Sequence, residues 1–203
     1  MAADQVQQVI DALRLGRPVL LPTDTVYGLC AAADEDSVRG LYELKGRSEA
    51  QPTALLAASI EALLGLVPEL HGRSEALLRA LLPGPYTLVL SNPAERFDWL
   101  SGANRTTIGV RVPTLPRASQ RVLDAVGAVA ATSANEPGES AGASLEDVPA
   151  RIRALCGAEL DCGRLPGWAS TVLDFTGARP VVLREGAASS AEAIARASAA
   201  ANA

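Results

Sequence analysis

The chain has 203 residues, 48% of them apolar, with 23 acidic against 18 basic residues and a formal net charge of −5. That length and apolar content suit a single core-forming domain over residues 1–203 and exclude a mainly disordered chain, and the acidic balance argues against a protein that coats nucleic acid. Three cysteines without CxxC spacing and a lone histidine, His71, exclude a disulfide frame, a zinc finger and a Ser-His-Asp triad, and no signal-like N-terminus or apolar run of spanning length is found, so a cytoplasmic protein away from membranes is expected.

In chain order, Val6, Val9, Ile10 and Leu13 recur at helical spacing and predict a first helix stopping at Gly16. Pro18 to Leu21 and Tyr27 to Ala33 read as buried strands around the hydroxyl-rich stretch Thr23-Asp24-Thr25. Asp36 or Ser37 can cap a helix carrying Val38, Leu41, Tyr42 and Leu44, with Lys45 and Arg47 at its C-terminal end. Thr53 to Ala58 predicts a strand, and helices follow over Ile60 to Leu66 and Arg73 to Leu82. Pro83-Gly84-Pro85 is a stiff turn into a strand from Tyr86 to Leu90. Ser91 to Arg105 reads as loop and Thr106 to Val112 as a strand. Next come a helix through Val122 and Val126 and a strand from Ala128 to Ala131 that runs into Thr132-Ser133-Ala134-Asn135. Glu136 to Ser144, rich in Gly, Pro and Ser, predicts a mobile loop over a site. A helix from Leu145 to Leu155 broken near Pro149, strands at Thr171 to Phe175 and Pro180 to Leu183, and a terminal helix from Ser189 complete the reading. Irregular alternation of strands and helices makes the class α/β or α+β with a mixed sheet.

Neither a Walker A sequence nor GxGxxG is present. Polar residues instead gather where apolar strands stop, the place where α/β sheets hold ligands. They are Thr23, Thr25, Tyr27, Lys45, Arg47, Thr107, Arg111, Ser133, Asn135, Ser140, Ser170, Thr171 and Arg184. Each also has a plain structural explanation: Lys45 and Arg47 as a solvated helix end, Ser133 and Asn135 as turn formers, Arg111 as a surface cation, Arg184 as an ion-pair partner. Lys45 stands apart as the one lysine among the 18 basic residues.

Seven segments resemble, in order, the YrdC/TsaC family, the L-threonylcarbamoyladenylate synthases: PTDTVYGL from Pro22, KGR from Lys45, PGPYTLVL from Pro83, TIGVRVP from Thr107, ATSAN from Ala131, STVLD from Ser170 and VVLREG from Val181. The resemblance implies a YrdC-like twisted mixed sheet flanked by helices, with a concave, positively lined cleft. It implies that L-threonine, bicarbonate and ATP give threonylcarbamoyl-AMP and pyrophosphate, for N6-threonylcarbamoyladenosine at position 37 of tRNA. A separate complex would make the transfer, and the chain resembles the short bacterial form. The implied chemistry needs positioned cations rather than an enzyme nucleophile, and Mg2+ carried in with ATP.

By the same resemblance, Lys45 and Arg47 would be catalytic, and Thr25, Arg111 and Ser170 would hold threonine, with Tyr27 either walling that pocket or filling the core below it. Lys45, Arg47, Gln51, Thr107, Ser133, Asn135, Ser140 and Arg184 would contact the nucleotide, with no protein-held metal. Asp24, where many relatives carry Glu, is left unassigned between ordering the threonine ammonium or its neighbours and capping a turn. The alternatives are a carbamoyl-adenylate module as in hydrogenase-maturation carbamoyltransferases, and a YciO-type RNA- or nucleotide-binding paralogue without synthase activity, to which weak tRNA binding would belong.

Overall fold

The protein is described by a computed structural model covering residues 2–201. Its elements are α1 (Ala2–Arg14), β1 (Val19–Pro22), β2 (Tyr27–Ala32), α2 (Glu35–Lys45), β3 (Ala54–Ala57), α3 (Ile60–Leu66), α4 (Arg73–Leu81), β4 (Tyr86–Ser91), β5 (Thr107–Arg111), α5 (Arg117–Val126), β6 (Ala128–Ser133), α6 (Ala150–Leu155), β7 (Ala158–Glu159), β8 (Thr171–Asp174), β9 (Val181–Arg184) and α7 (Ser190–Ala201). The strands join one mixed sheet in the order β7-β1-β2-β6-β3-β5-β4-β8-β9. Three neighbouring pairs, β1 with β7, β3 with β5 and β4 with β8, run parallel.

Strand periodicity divides the sheet into two unlike faces. One face buries Leu29, Leu55, Leu88, Val110 and Ala130 beneath α2, α3, α4, α6 and α7. The opposite face buries Val19, Leu21, Cys30, Leu56 and Val129, but only beneath α1 and α5. Farther along that second face the residues turn small or polar: Gly28, Ala54, Gly109 and Thr87. No helix covers them, so the sheet itself becomes the floor of an opening.

Three local expectations are corrected. The cap of α2 is Asp34, whose Oδ1 accepts from the Ser37 amide at 2.9 Å, rather than Asp36 or Ser37. The segment 91–105 contains a 3-10 turn at Asp98–Leu100. The two-residue strand β7 went unforeseen because two residues carry no periodicity; it exists through its pairing with β1. The break near Pro149 is present, dividing a 3-10 turn at Leu145–Asp147 from α6.

Candidate functional site

The open part of the sheet holds a cavity of about 640 Å³. Its charged lining residues are Lys45, Arg47, Arg111, Arg184 and Asp174, four cations against one carboxylate.

Lys45 and Arg47 reach the cavity because α2 ends sharply between them. Gly46 takes φ 62°, in the left-handed region that favours glycine, while its amide donates to Glu43 O and the Arg47 amide donates to Tyr42 O at 3.0 Å. Both cations then meet the end of β6. Lys45 Nζ donates to Ser133 O and, at 3.3 Å each, to Thr132 Oγ1 and Asn135 Oδ1. Arg47 Nη1 donates to the same Thr132 Oγ1 at 2.8 Å, and its Nη2 to Pro52 O at 2.7 Å. Lys45 is only 4% exposed, so the solvated-helix-end explanation does not describe it. Burial first, and the Arg47 charge second, lower its pKa to about 8, with Glu136 acting the other way.

Asn135 links these cations to the following loop. Its Oδ1 accepts from Ser133 Oγ as well as Lys45, and its Nδ2 donates to Glu136 O at 2.9 Å and Glu139 O at 2.6 Å. It forms the turn and shapes the site together. Pro137 and Gly138 line the cavity, whereas Ser140 is exposed and outside the lining.

The opposite wall is built from β8 and β9. Arg184 donates to Ser170 O from Nε at 3.0 Å and from Nη2 at 2.8 Å, and Nη2 also reaches Ser170 Oγ at 3.1 Å. Ser170 Oγ lies 2.8 Å from Thr87 Oγ1. Gly186 permits this closeness, since a Cβ there would stand 2.2 Å from Ala169 O. Burial, then the Arg47 charge, lower the Arg184 pKa.

Between the walls, Arg111 Nη2 donates to Asp24 Oδ1 at 2.7 Å and to Thr25 Oγ1 at 3.3 Å, while its buried Nε has no protein partner. Asp24 Oδ2 accepts from the Thr114 amide at 3.2 Å. Burial is the largest influence on both charges: it raises the Asp24 pKa against the pull of Arg111, and lowers that of Arg111 against the pull of Asp24. Asp24 therefore orients Arg111, the ordering of a neighbouring group rather than the capping of a turn.

Of the residues anticipated from sequence, Thr23, Lys45, Arg47, Gln51, Thr107, Arg111, Ser133, Asn135, Ser170 and Arg184 line one cavity. Thr25 is fully buried behind it, bonded to Thr23 Oγ1 at 2.9 Å. Tyr27 also lies outside the lining and is fully buried, filling the core, the second of its two alternatives. Its hydroxyl lies 2.8 Å from Asp161 Oδ1 and 2.9 Å from Gly163 O, accepts from the Cys162 amide at 3.2 Å, and so pins the chain after β7. Polar lining residues not anticipated include Thr53, Thr87, Thr132 and Asp174. The alternation of Tyr86 to Leu90, with Leu88 in the core, already sets Thr87 on the other face.

The family model Sua5_yciO_yrdC, described as "Telomere recombination", matches residues 11–186. The chain is 34% identical over 167 residues to a Halorhodospira halophila threonylcarbamoyl-AMP synthase, covering 80% of this chain and 85% of that protein. It superposes on Pyrococcus abyssi Sua5 complexed with L-threonine with a TM-score of 0.80 at 33% identity, covering 89% of this chain and 54% of that one. The chain thus spans about half the length of the archaeal protein. Escherichia coli YciO superposes with a TM-score of 0.82 at 25% identity, covering 93% of this chain and 92% of that one.

Proposed function

Since the chain belongs to the Sua5/YciO/YrdC family, we propose that it forms threonylcarbamoyl-AMP and pyrophosphate from L-threonine, bicarbonate and ATP. The observation that carries this reading is the convergence of Lys45, Arg47 and Arg184 on one cavity with Arg111 and Ser170. Three cations that lower one another's proton affinity, or lose it to burial, make a site that favours a polyanion. Arg111, with its Nε unpaired, suits the carboxylate of an amino acid.

Bicarbonate takes up a proton and loses water to give CO2; the threonine amine adds to the CO2 carbon and releases a proton, giving a carbamate, with water as the net by-product. A carbamate oxygen attacks the α-phosphorus, an O–P bond forms, the bond to the β-phosphate oxygen breaks, and pyrophosphate leaves. No side chain has to form a covalent intermediate. Lys45, Arg47 and Arg184 would hold the phosphates and offset the charge that develops on the leaving group. Arg111, fixed by Asp24, would hold the threonine carboxylate, with Ser170 and Thr87 as hydroxyl partners.

Among the described residues no group of three or more His, Cys, Asp or Glu could hold a metal ion. Mg2+ would enter bound to the phosphates of ATP, a mode that asks for few protein ligands. The product is a mixed anhydride, suited to hand-off to a complex that transfers the threonylcarbamoyl group to adenosine 37 of tRNA, and any direct tRNA contact would be weak for a chain of net charge −5. No helix among the described residues is long and apolar enough to cross a membrane.

The test is pyrophosphate release by purified protein with ATP, Mg2+, bicarbonate and L-threonine, compared with the same mixture lacking threonine. Threonine-dependent release supports the reading. Its absence would return the chain to the YciO-type alternative, which no feature of the cavity favours.

A further inference from the structure

Asp174 is the one carboxylate among the described residues that line the cavity, which it shares with four cations. Its position follows from the register of the sheet. Arg111, Thr87, Val172 and Arg184 stand level across β5, β4, β8 and β9. The next level on the same face is Gly109, Val89 and Asp174, and the level beyond begins with Thr107, each step being about 6–7 Å along the strands. Asp174 therefore stands one level from Arg111 and Arg184, toward the Thr107 end.

The carboxylate is oriented. Its Oδ1 accepts from the Thr176 amide at 2.8 Å and from Thr176 Oγ1 at 2.6 Å, while no hydrogen bond from a described residue reaches Oδ2. A fixed carboxylate with a free acceptor oxygen repels phosphate and attracts neutral donors. By itself it supplies one oxygen ligand where Mg2+ takes six; a Mg2+ shared with the phosphates is the competing occupant, and would make Asp174→Ala weaken ATP and dideoxy-ATP alike. A nucleotide whose phosphates lie among the cations presents one matching group just beyond them, the vicinal hydroxyls of the ribose. A carboxylate is a strong acceptor for such hydroxyls.

We propose that Asp174 is a specificity-determining residue that accepts hydrogen bonds from the ribose hydroxyls of the nucleotide. The inference rests on the reading of the cavity as an ATP site.

The experiment compares ATP with 2′,3′-dideoxy-ATP on the wild type, Asp174→Asn and Asp174→Ala, by calorimetric binding and by kcat/KM for threonine-dependent pyrophosphate release. The wild type should prefer ATP by at least about tenfold, the effect of losing a hydrogen bond to a charged group. In Asp174→Ala the preference should shrink to within about threefold, through weaker use of ATP with the dideoxy value unchanged and the threonine KM unmoved. Asp174→Asn keeps an oxygen for the Thr176 turn, guards against a purely structural loss, and should fall between. An equal preference in all three proteins, or none in the wild type, would overturn the assignment. If binding follows this pattern but no pyrophosphate is released, the synthase reading fails and the ribose contact stands.

Discussion

The Asp24 carboxylate holds the Arg111 guanidinium at 2.7 Å, with the two side chains 9% and 10% exposed. The pair spans the β1–β2 hairpin and β5, and fixes the one cation of the cavity that is matched by an acid. Arg111 is thereby aimed without being consumed, because its Nε stays unpaired.

Asp24→Asn should raise the threonine KM by about tenfold or more, the cost of loosening one charge-assisted contact, while the ATP KM changes by less than about twofold. Asp24→Ala should in addition destabilise the protein by about 3 kcal/mol, since it strips a buried guanidinium of its counter-charge. Steady-state kinetics with each substrate varied in turn, together with denaturant melts, read both effects. A uniform rise in both KM values would contradict the positioning role.

The depressed Lys45 pKa, about 8, sets a pH dependence on nucleotide binding. Polyphosphate prefers the charged amine, so ATP affinity should fall as pH rises above about 8, approaching tenfold per pH unit. Lys45→Arg keeps its charge and should flatten the profile. The linkage to folding has the opposite slope: between about 8 and the unfolded value of 10.5 the unfolded chain binds the proton that the folded protein has lost, so this residue's contribution to stability rises with pH. Titration calorimetry and melts from pH 7 to 10 measure the two separately.

Burying Lys45 beside Arg47 works against stability, while its bonds to Ser133 O, Thr132 Oγ1 and Asn135 Oδ1 work for it, so the two effects oppose each other when the amine is removed. Lys45→Met should therefore change stability by less than about 2 kcal/mol while cutting threonine-dependent turnover at least about a hundredfold. A variant that retains activity would return Lys45 to a structural role.

Tyr27 separates the core from the site. Tyr27→Phe should cost about 1–2 kcal/mol through the lost contacts to Asp161, Gly163 and Cys162, with the threonine KM altered less than about twofold. A large change in KM at unchanged stability would place the phenol back in the amino-acid pocket.

The order of elements was legible because each carries its own local signal: helical spacing in α1 and α5, apolar runs in β1 and β6, and proline and glycine at the turns. The strand ends also marked nine of the cavity's residues. Partners brought together by the sheet were not legible. Asp24 meets Arg111 across 87 positions, and Lys45 meets Asn135 across 90, so the helix-end pattern alone suggested a solvated lysine. Thr25 and Tyr27 sit in and beside a hairpin turn, where the two-residue alternation that separates faces is interrupted. Asp174 was hidden inside a strand motif whose serine drew the functional reading, although alternation places its carboxylate on the open face.

The most direct measurement is the product formed from labelled threonine, labelled bicarbonate and ATP. A single species carrying both labels joined to AMP, formed in step with pyrophosphate, is the result expected. Pyrophosphate or AMP released with neither label attached to the nucleotide would contradict the account.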